Sequence, residues 1–287
     1  MRNVFKIYKA KSSHWVGDGF KVQPLFSHMD EDKGTNPFLM LDYAAPQFYE
    51  PNYGKPRGVG QHPHKGFETV TIAYNGEIAH RDSSGGGGVI KPGDVQWMTA
   101  EAGIIHEEFH SENFSKSGGK FEMAQLWVNL PKAHKLTPPK YQHLAKENIP
   151  VVEFEGGFVR VIAGDFNGTK GAASTFSVLN VWDIVINADK TANFSVPSNQ
   201  SLSLVVLRGD LEINGKDRAT QGDLVGFELN GGDISIKTHG KDAKILLLSG
   251  EPINEPIVGY GPFVMNSANE IREAINEFNS GKFGAIK

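Results

Sequence analysis

The stretch "GIIHEEFH", residues 103–110, decides the fold. Within it, His106-Glu107-Glu108-Phe109-His110 reads H-E-x-x-H, the pattern that puts two zinc-binding histidines on one helix face in a metalloprotease. The neighbouring residues argue against a helix. A glycine and two β-branched residues, Gly103-Ile104-Ile105, lead in, and the turn-rich "SENFSKSGG" (111–119) follows, so there is no cap and no room for a long helix. In a strand, residues two apart share a face. His106 and Glu108 then point together and Glu107 turns away. The protease reading would require this segment to be helical.

About forty residues upstream, "GQHPHKGFE" (60–68) repeats the device. His62 and His64 are two apart, and Pro63 keeps the backbone around them extended. Two short strands thus each present a pair of potential ligands. Three imidazoles and one carboxylate make a nitrogen–oxygen donor set, suited to Fe(II), Mn, Ni, Cu(II) or Zn. Glu68 shares the parity of His62 and His64 if Gly66 introduces no bulge. It therefore competes with Glu108 for the carboxylate place and is a candidate base beside it. His110 has the parity of His106 and Glu108 and reads as an exposed polar residue at the strand end.

The rest of the chain sets these strands in an all-β context. It has 287 residues, a net charge of -4 and no long basic run, so neither nucleic acid nor a membrane surface is an expected partner. Cysteine is absent, which excludes disulfides, thiol catalysis and zinc–thiolate sites. No apolar run reaches transmembrane length and the first residues do not form a signal peptide, so a cytoplasmic protein is expected. In "FETVTIAYNGEIAHRD" (67–82), Val70, Ile72 and Tyr74 alternate with Thr69, Thr71 and Ala73 ahead of an Asn75-Gly76 turn. "SSGGGG" (83–88) lacks the G-K-[ST] of a phosphate cradle and reads as a hairpin tip. Trp97 and Met98 read as core. "KAHKLTPPKYQHLAKENIP" (132–150) is polar and proline-bearing and reads as a connector. Beyond it, "SLSLVVLRGDLEINGKDRATQGDLVGF" (201–227) repeats the strand–turn order of the first half, which suggests a degenerate duplication. That half has one histidine, His239, without a partner at ligand spacing. Only the tail reads helical: Ser267 as N-cap with Glu270 completing a capping box, the stripe Ile271, Ala274, Ile275, Phe278, and Gly281 as a stop.

H-x-H-x(3)-E, a glycine turn, P-G-D and then G-x-x-H, in that order, match the two-part pattern of the cupin barrel. Within the cupins the chain resembles the pirins. "DGF", "NPFLMLDY", "HPHKGFETVTI", "GEIAHRDS", "GGVIKPGDVQWMTAEAGIIHEE", "QLWVNLP", "TPPKYQ" and "GPFVMN" are similar to pirin motifs and occur in pirin order, from about residue 16 to the tail. The resemblance implies a bicupin fold, two cupin-type β-barrels with a short C-terminal α-helix. It assigns 1–135 to a metal-binding barrel, 136–150 to a linker and 151–287 to a barrel without metal, ending in a docking helix. It also implies that His62, His64, His106 and Glu108 hold one divalent metal, with Fe(II) expected and Zn, Mn, Ni, Cu or Cd as other occupants. Glu107 departs from the family, which commonly has serine there. The implied activity is a dioxygenase that cleaves a flavonol such as quercetin with O₂ and releases carbon monoxide, with Glu108 or Glu68 as base. The implied alternative is a metal- or redox-sensing regulator that works through a protein partner.

Overall fold

A computed structural model describes residues 1–30, 34–100 and 102–286. Strands dominate, as the turn-punctuated apolar runs require. Two compact units form. One gathers Met1–Lys11, Leu25–Phe38 and Glu147–Pro252; the other gathers Ser12–Pro24, Leu39–Lys146 and Ile253–Lys287.

The expected serial order of barrel, linker and barrel is therefore interleaved. Val4–Tyr8 pairs antiparallel with Leu224–Phe227, which ties the N-terminus to the later unit. The tail helix belongs to the unit that carries His62 and His106. Within the expected linker, Lys140–Leu144 is a strand, paired with Val95–Thr99 so that Tyr141 faces Met98. It lies at a sheet edge, where a strand has one paired neighbour and tolerates the polar composition of a loop.

Among the described residues, each unit combines a seven-stranded and a four-stranded sheet. The small sheet of the histidine-bearing unit runs Gly58–His64, Ile104–His110, Ile78–Asp82, Gly87–Ile90. Its counterpart runs Thr191–Phe194, Ile234–Thr238, Asp210–Ile213, Asp217–Thr220. The shared order is the structural form of the duplication. The counterpart's unit is filled by apolar side chains, among them Trp182, Phe194, Leu204, Ile236 and Leu247. Each contributes about 1.5–3 kcal/mol by leaving water.

The tail helix, Ala268–Asn279, starts where the capping box places it. Ser267 Oγ accepts from the Glu270 amide at 3.3 Å. Glu270 Oε2 reaches back one residue further than a standard box, to the Asn266 amide at 2.9 Å. Ile271 and Ala274 bury against Phe263, Met265 and Phe283. A second, six-residue helix, Glu112–Ser117, lies in the stretch read as turn. It is too short to display a helical period, and it is held by Ser111 Oγ accepting from the Phe114 amide at 3.0 Å. No helix among the described residues is long and apolar enough to cross a membrane.

Candidate metal centre

Ile104–His110 is a strand, and Gly103 is what lets it start. Gly103 has φ +117°, and a Cβ there would lie 2.2 Å from the Phe283 ring. Only glycine fits that approach. The strand pairs on both sides. Towards Gly58–His64, Ile104 faces His64 and His106 faces His62, after which a bulge shifts the register so that Glu108 faces Val59. Towards Ile78–Asp82, His106 faces Asp82 and Glu108 faces His80. Glu107 turns away as expected: its carboxylate accepts from Arg81 Nε at 2.9 Å and is bridged again by the outer guanidinium nitrogen.

The two histidines of the apparent protease motif are thereby separated. Four residues along a strand span roughly 13 Å, too far to share one ion. His110 corrects the sequence reading, since it is buried rather than exposed. Its Nε2 donates to the Gly19 carbonyl at 2.9 Å, and Phe20, Tyr49, Phe114 and Phe121 surround it. Burial pushes it down to about 4, against the weaker opposing effect of the Gly19 bond. It is a neutral core residue.

His62, His64 and His106 converge. Their ligand atoms lie within 4.8 Å of one another, and the ring centroids are 4.2 to 4.9 Å apart. His106 is fully buried, His64 nearly so, and His62 is partly exposed. His62 Nδ1 is 2.8 Å from the Gly60 carbonyl, so it carries the proton and Nε2 is left as the donor atom. Burial first, then the neighbouring imidazoles, hold His64 and His106 well below the ordinary histidine value. Both are neutral, the ligating form, at physiological pH. His64 Nδ1 and His106 Nε2 are buried without a hydrogen-bond partner in the protein. Such atoms cost about 1–3 kcal/mol each when left unsatisfied, and a metal ion would satisfy ring nitrogens arranged in this way. The donor set fits the group.

Glu108 joins a second, overlapping group with His106 and His80, again within 4.8 Å. Its Oε1 accepts from Thr71 Oγ1 at 3.2 Å and its Oε2 from Gln125 Nε2 at 3.1 Å. The four expected ligands thus fall into two groups that share His106. Glu68 is in neither. The parity argument for it breaks at Gly66, whose φ of +90° turns the chain between sheets. In the regular pairing beyond, Thr71 shares a sheet face with Gln125, while Glu68 lies on the opposite face and accepts from Thr99 Oγ1 at 2.8 Å.

Three residues at the centre carry no role in the sequence reading. His80 and Asp82 repeat the two-apart spacing of H-x-H, which is the signal that marks them. Tyr141 leaves no such signal. Its ring stacks on His80 with centroids 5.3 Å apart, and burial, with the charges of Asp82, Glu108 and Asp94, pushes its hydroxyl up to about 12. In the other unit, His239 sits 3.3 Å from Glu212 and joins no metal-capable group among the described residues.

Two units, each combining a seven-stranded and a four-stranded sheet, mark the bicupin class of the cupin proteins. The Pirin family matches residues 19–128 and the Pirin C-terminal cupin domain matches 181–284; the chain belongs to the pirin family. It is 48% identical over 285 residues to a Pseudomonas aeruginosa protein named "Putative quercetin 2,3-dioxygenase", with 99% of each chain covered. The crystal structure of quercetin 2,3-dioxygenase from Acinetobacter baumannii superimposes with a TM-score of 0.96, at 50% identity and full coverage of both chains. The Escherichia coli bacterial pirin YhhW, in complex with nickel(II), shares the fold at 21% identity and a TM-score of 0.65, over 86% of this chain and all of that one.

Proposed function

We propose that the chain is a metal-dependent dioxygenase that cleaves a flavonol such as quercetin with O₂ and releases carbon monoxide. The observation that carries this reading is the convergence of three imidazoles, two with buried unpartnered nitrogens, beside the Glu108 carboxylate. The names of the similar Pseudomonas and Acinetobacter proteins support the substrate class.

His62, His64, His106 and Glu108 would hold the ion, with Fe(II) the expected occupant. When bound, it supplies a Lewis-acidic centre with a one-electron couple. The protein's own groups do the rest. Thr71 and Gln125 aim the Glu108 carboxylate, so that it can take the proton of a flavonol hydroxyl as that oxygen becomes electron-rich. Glu68, on the opposite sheet face, is left out of this role. The partly exposed His62 marks the side from which substrate arrives, and the buried His64 and His106 keep the far side dry.

The test is O₂ consumption and carbon monoxide release with quercetin, on protein reconstituted anaerobically with Fe(II), beside His106→Ala. Carbon monoxide from the wild type and none from the variant is the expected result. One bound metal per chain without turnover would contradict the dioxygenase and favour the regulatory reading.

A further inference from the structure

We infer that Asp82 and His80 are positioning residues, a carboxylate–imidazole pair that fixes the tautomer of His106 and so presents its Nε2 to a metal. The inference rests on the proposed metal centre and deepens it.

Asp82 Oδ1 accepts from the Ser84 amide at 2.8 Å, the Ser84 hydroxyl at 2.6 Å and the Gly86 amide at 3.0 Å. A carboxyl group receiving three donors on one oxygen is ionised. Although burial opposes it, bonds from His80, Ser84 and Gly86 hold Asp82 below the usual carboxylate range. Its other oxygen, Oδ2, lies 3.2 Å from His80 Nε2. An ionised carboxylate only accepts, so His80 Nε2 carries the proton. A His80 ring whose single proton is on Nε2 has Nδ1 as an acceptor. That Nδ1 faces His106 Nδ1 at 3.4 Å, so the proton of the pair belongs to His106 Nδ1. His106 Nε2 is left with its lone pair, and it is the buried atom that finds no partner in the protein. The parallel stacking of Tyr141 on His80 keeps the imidazole in this plane. Outer partners of this kind orient a metal-binding histidine and typically account for 10–100-fold in affinity.

Asp82→Asn makes a sharp test because it inverts the relay. The Asn oxygen can keep the Ser84 and Gly86 bonds, while its amide donates to His80 Nε2. The His80 proton moves to Nδ1 and donates to His106, whose own proton must then sit on Nε2. Two-bond ¹H–¹⁵N spectra of histidine-labelled, metal-stripped full chain report each tautomer, with His106→Ala identifying the signal. The wild type is expected to show Nδ1–H on His106, and Asp82→Asn to show Nε2–H with Ni(II) affinity about 10–100-fold weaker. His80→Phe, which keeps the stack on Tyr141 but removes the acceptor, is expected to weaken Ni(II) binding similarly.

An Nε2–H His106 in the wild type would overturn the inference. So would an Asp82→Asn variant with the wild-type tautomer or the wild-type affinity. Should Asp82→Asn fail to fold, the wild-type spectrum still decides. If the wild type binds no Ni(II), the metal centre fails, while the spectrum of the metal-free chain judges the relay separately.

Discussion

The two four-stranded sheets are built to one plan and filled with opposite chemistry. In the first, His62 faces His106, which faces Asp82, and Glu108 faces His80. In the second, Ala192 faces Ile236, which faces Ile213, and Thr238 faces Leu211. Position by position, His62 corresponds to Ala192, His64 to Phe194, His106 to Ile236, Glu108 to Thr238, His80 to Leu211 and Asp82 to Ile213. One register therefore yields a polar cluster with unpartnered buried nitrogens in one unit and a closed apolar core in the other. A buried polar cluster is costly unless something satisfies it, whereas an apolar core stabilises by itself. The first sheet spends stability on a site, and the second supplies it.

His106→Ile, which copies Ile236, is expected to abolish stoichiometric metal binding and leave a folded chain, read by metal analysis and circular dichroism. Retained metal would place the ion elsewhere. The reverse probe acts on stability alone. Ile236→Ala opens a cavity in a fully buried core and is expected to cost about 2–5 kcal/mol in denaturant unfolding, with metal content unchanged.

His110 has a native value of about 4 against 6.5 for a free histidine, so between those pH values the unfolded chain binds a proton that the native chain does not. Stability is full above pH 6.5 and falls as pH drops towards 4, by about 3 kcal/mol. His110→Phe should flatten this part of the profile of unfolding free energy against pH. An unchanged slope would refute the assignment. The smallest effect belongs to Glu107, paired with the largely exposed Arg81. Glu107→Ser, the residue common in the family, is expected to cost less than about 1 kcal/mol and to leave metal content intact.

Much of this was legible in the sequence, because a period of two is a local property. The glycine-led, β-branched approach to His106 marks a strand, and strand parity alone separates Glu107 from His106 and Glu108. Parity fails where the backbone leaves the strand, as at Gly66, so it does not carry through to Glu68. His80 and Asp82 bore the same signal as His62 and His64, but a bare H-x-D pair does not show which strand it will lie beside. The burial of His110 depends on Phe20, Tyr49 and Phe121, which are distant in sequence, so no local pattern reports it. The edge strand carrying Tyr141 reads as a loop because one of its flanks has no strand to pair with. The interleaving of the units follows from pairings such as Val4 with Phe227, which adjacent residues do not announce.

Anomalous diffraction, collected at the absorption edge of the bound metal from crystals of the metal-loaded chain, would locate the ion directly. One ion bonded to nitrogens of His62, His64 and His106 and to an oxygen of Glu108, with no peak in the Ala192–Ile236 sheet, is the predicted result. An ion bonded by His80, or held in the second unit, would contradict it.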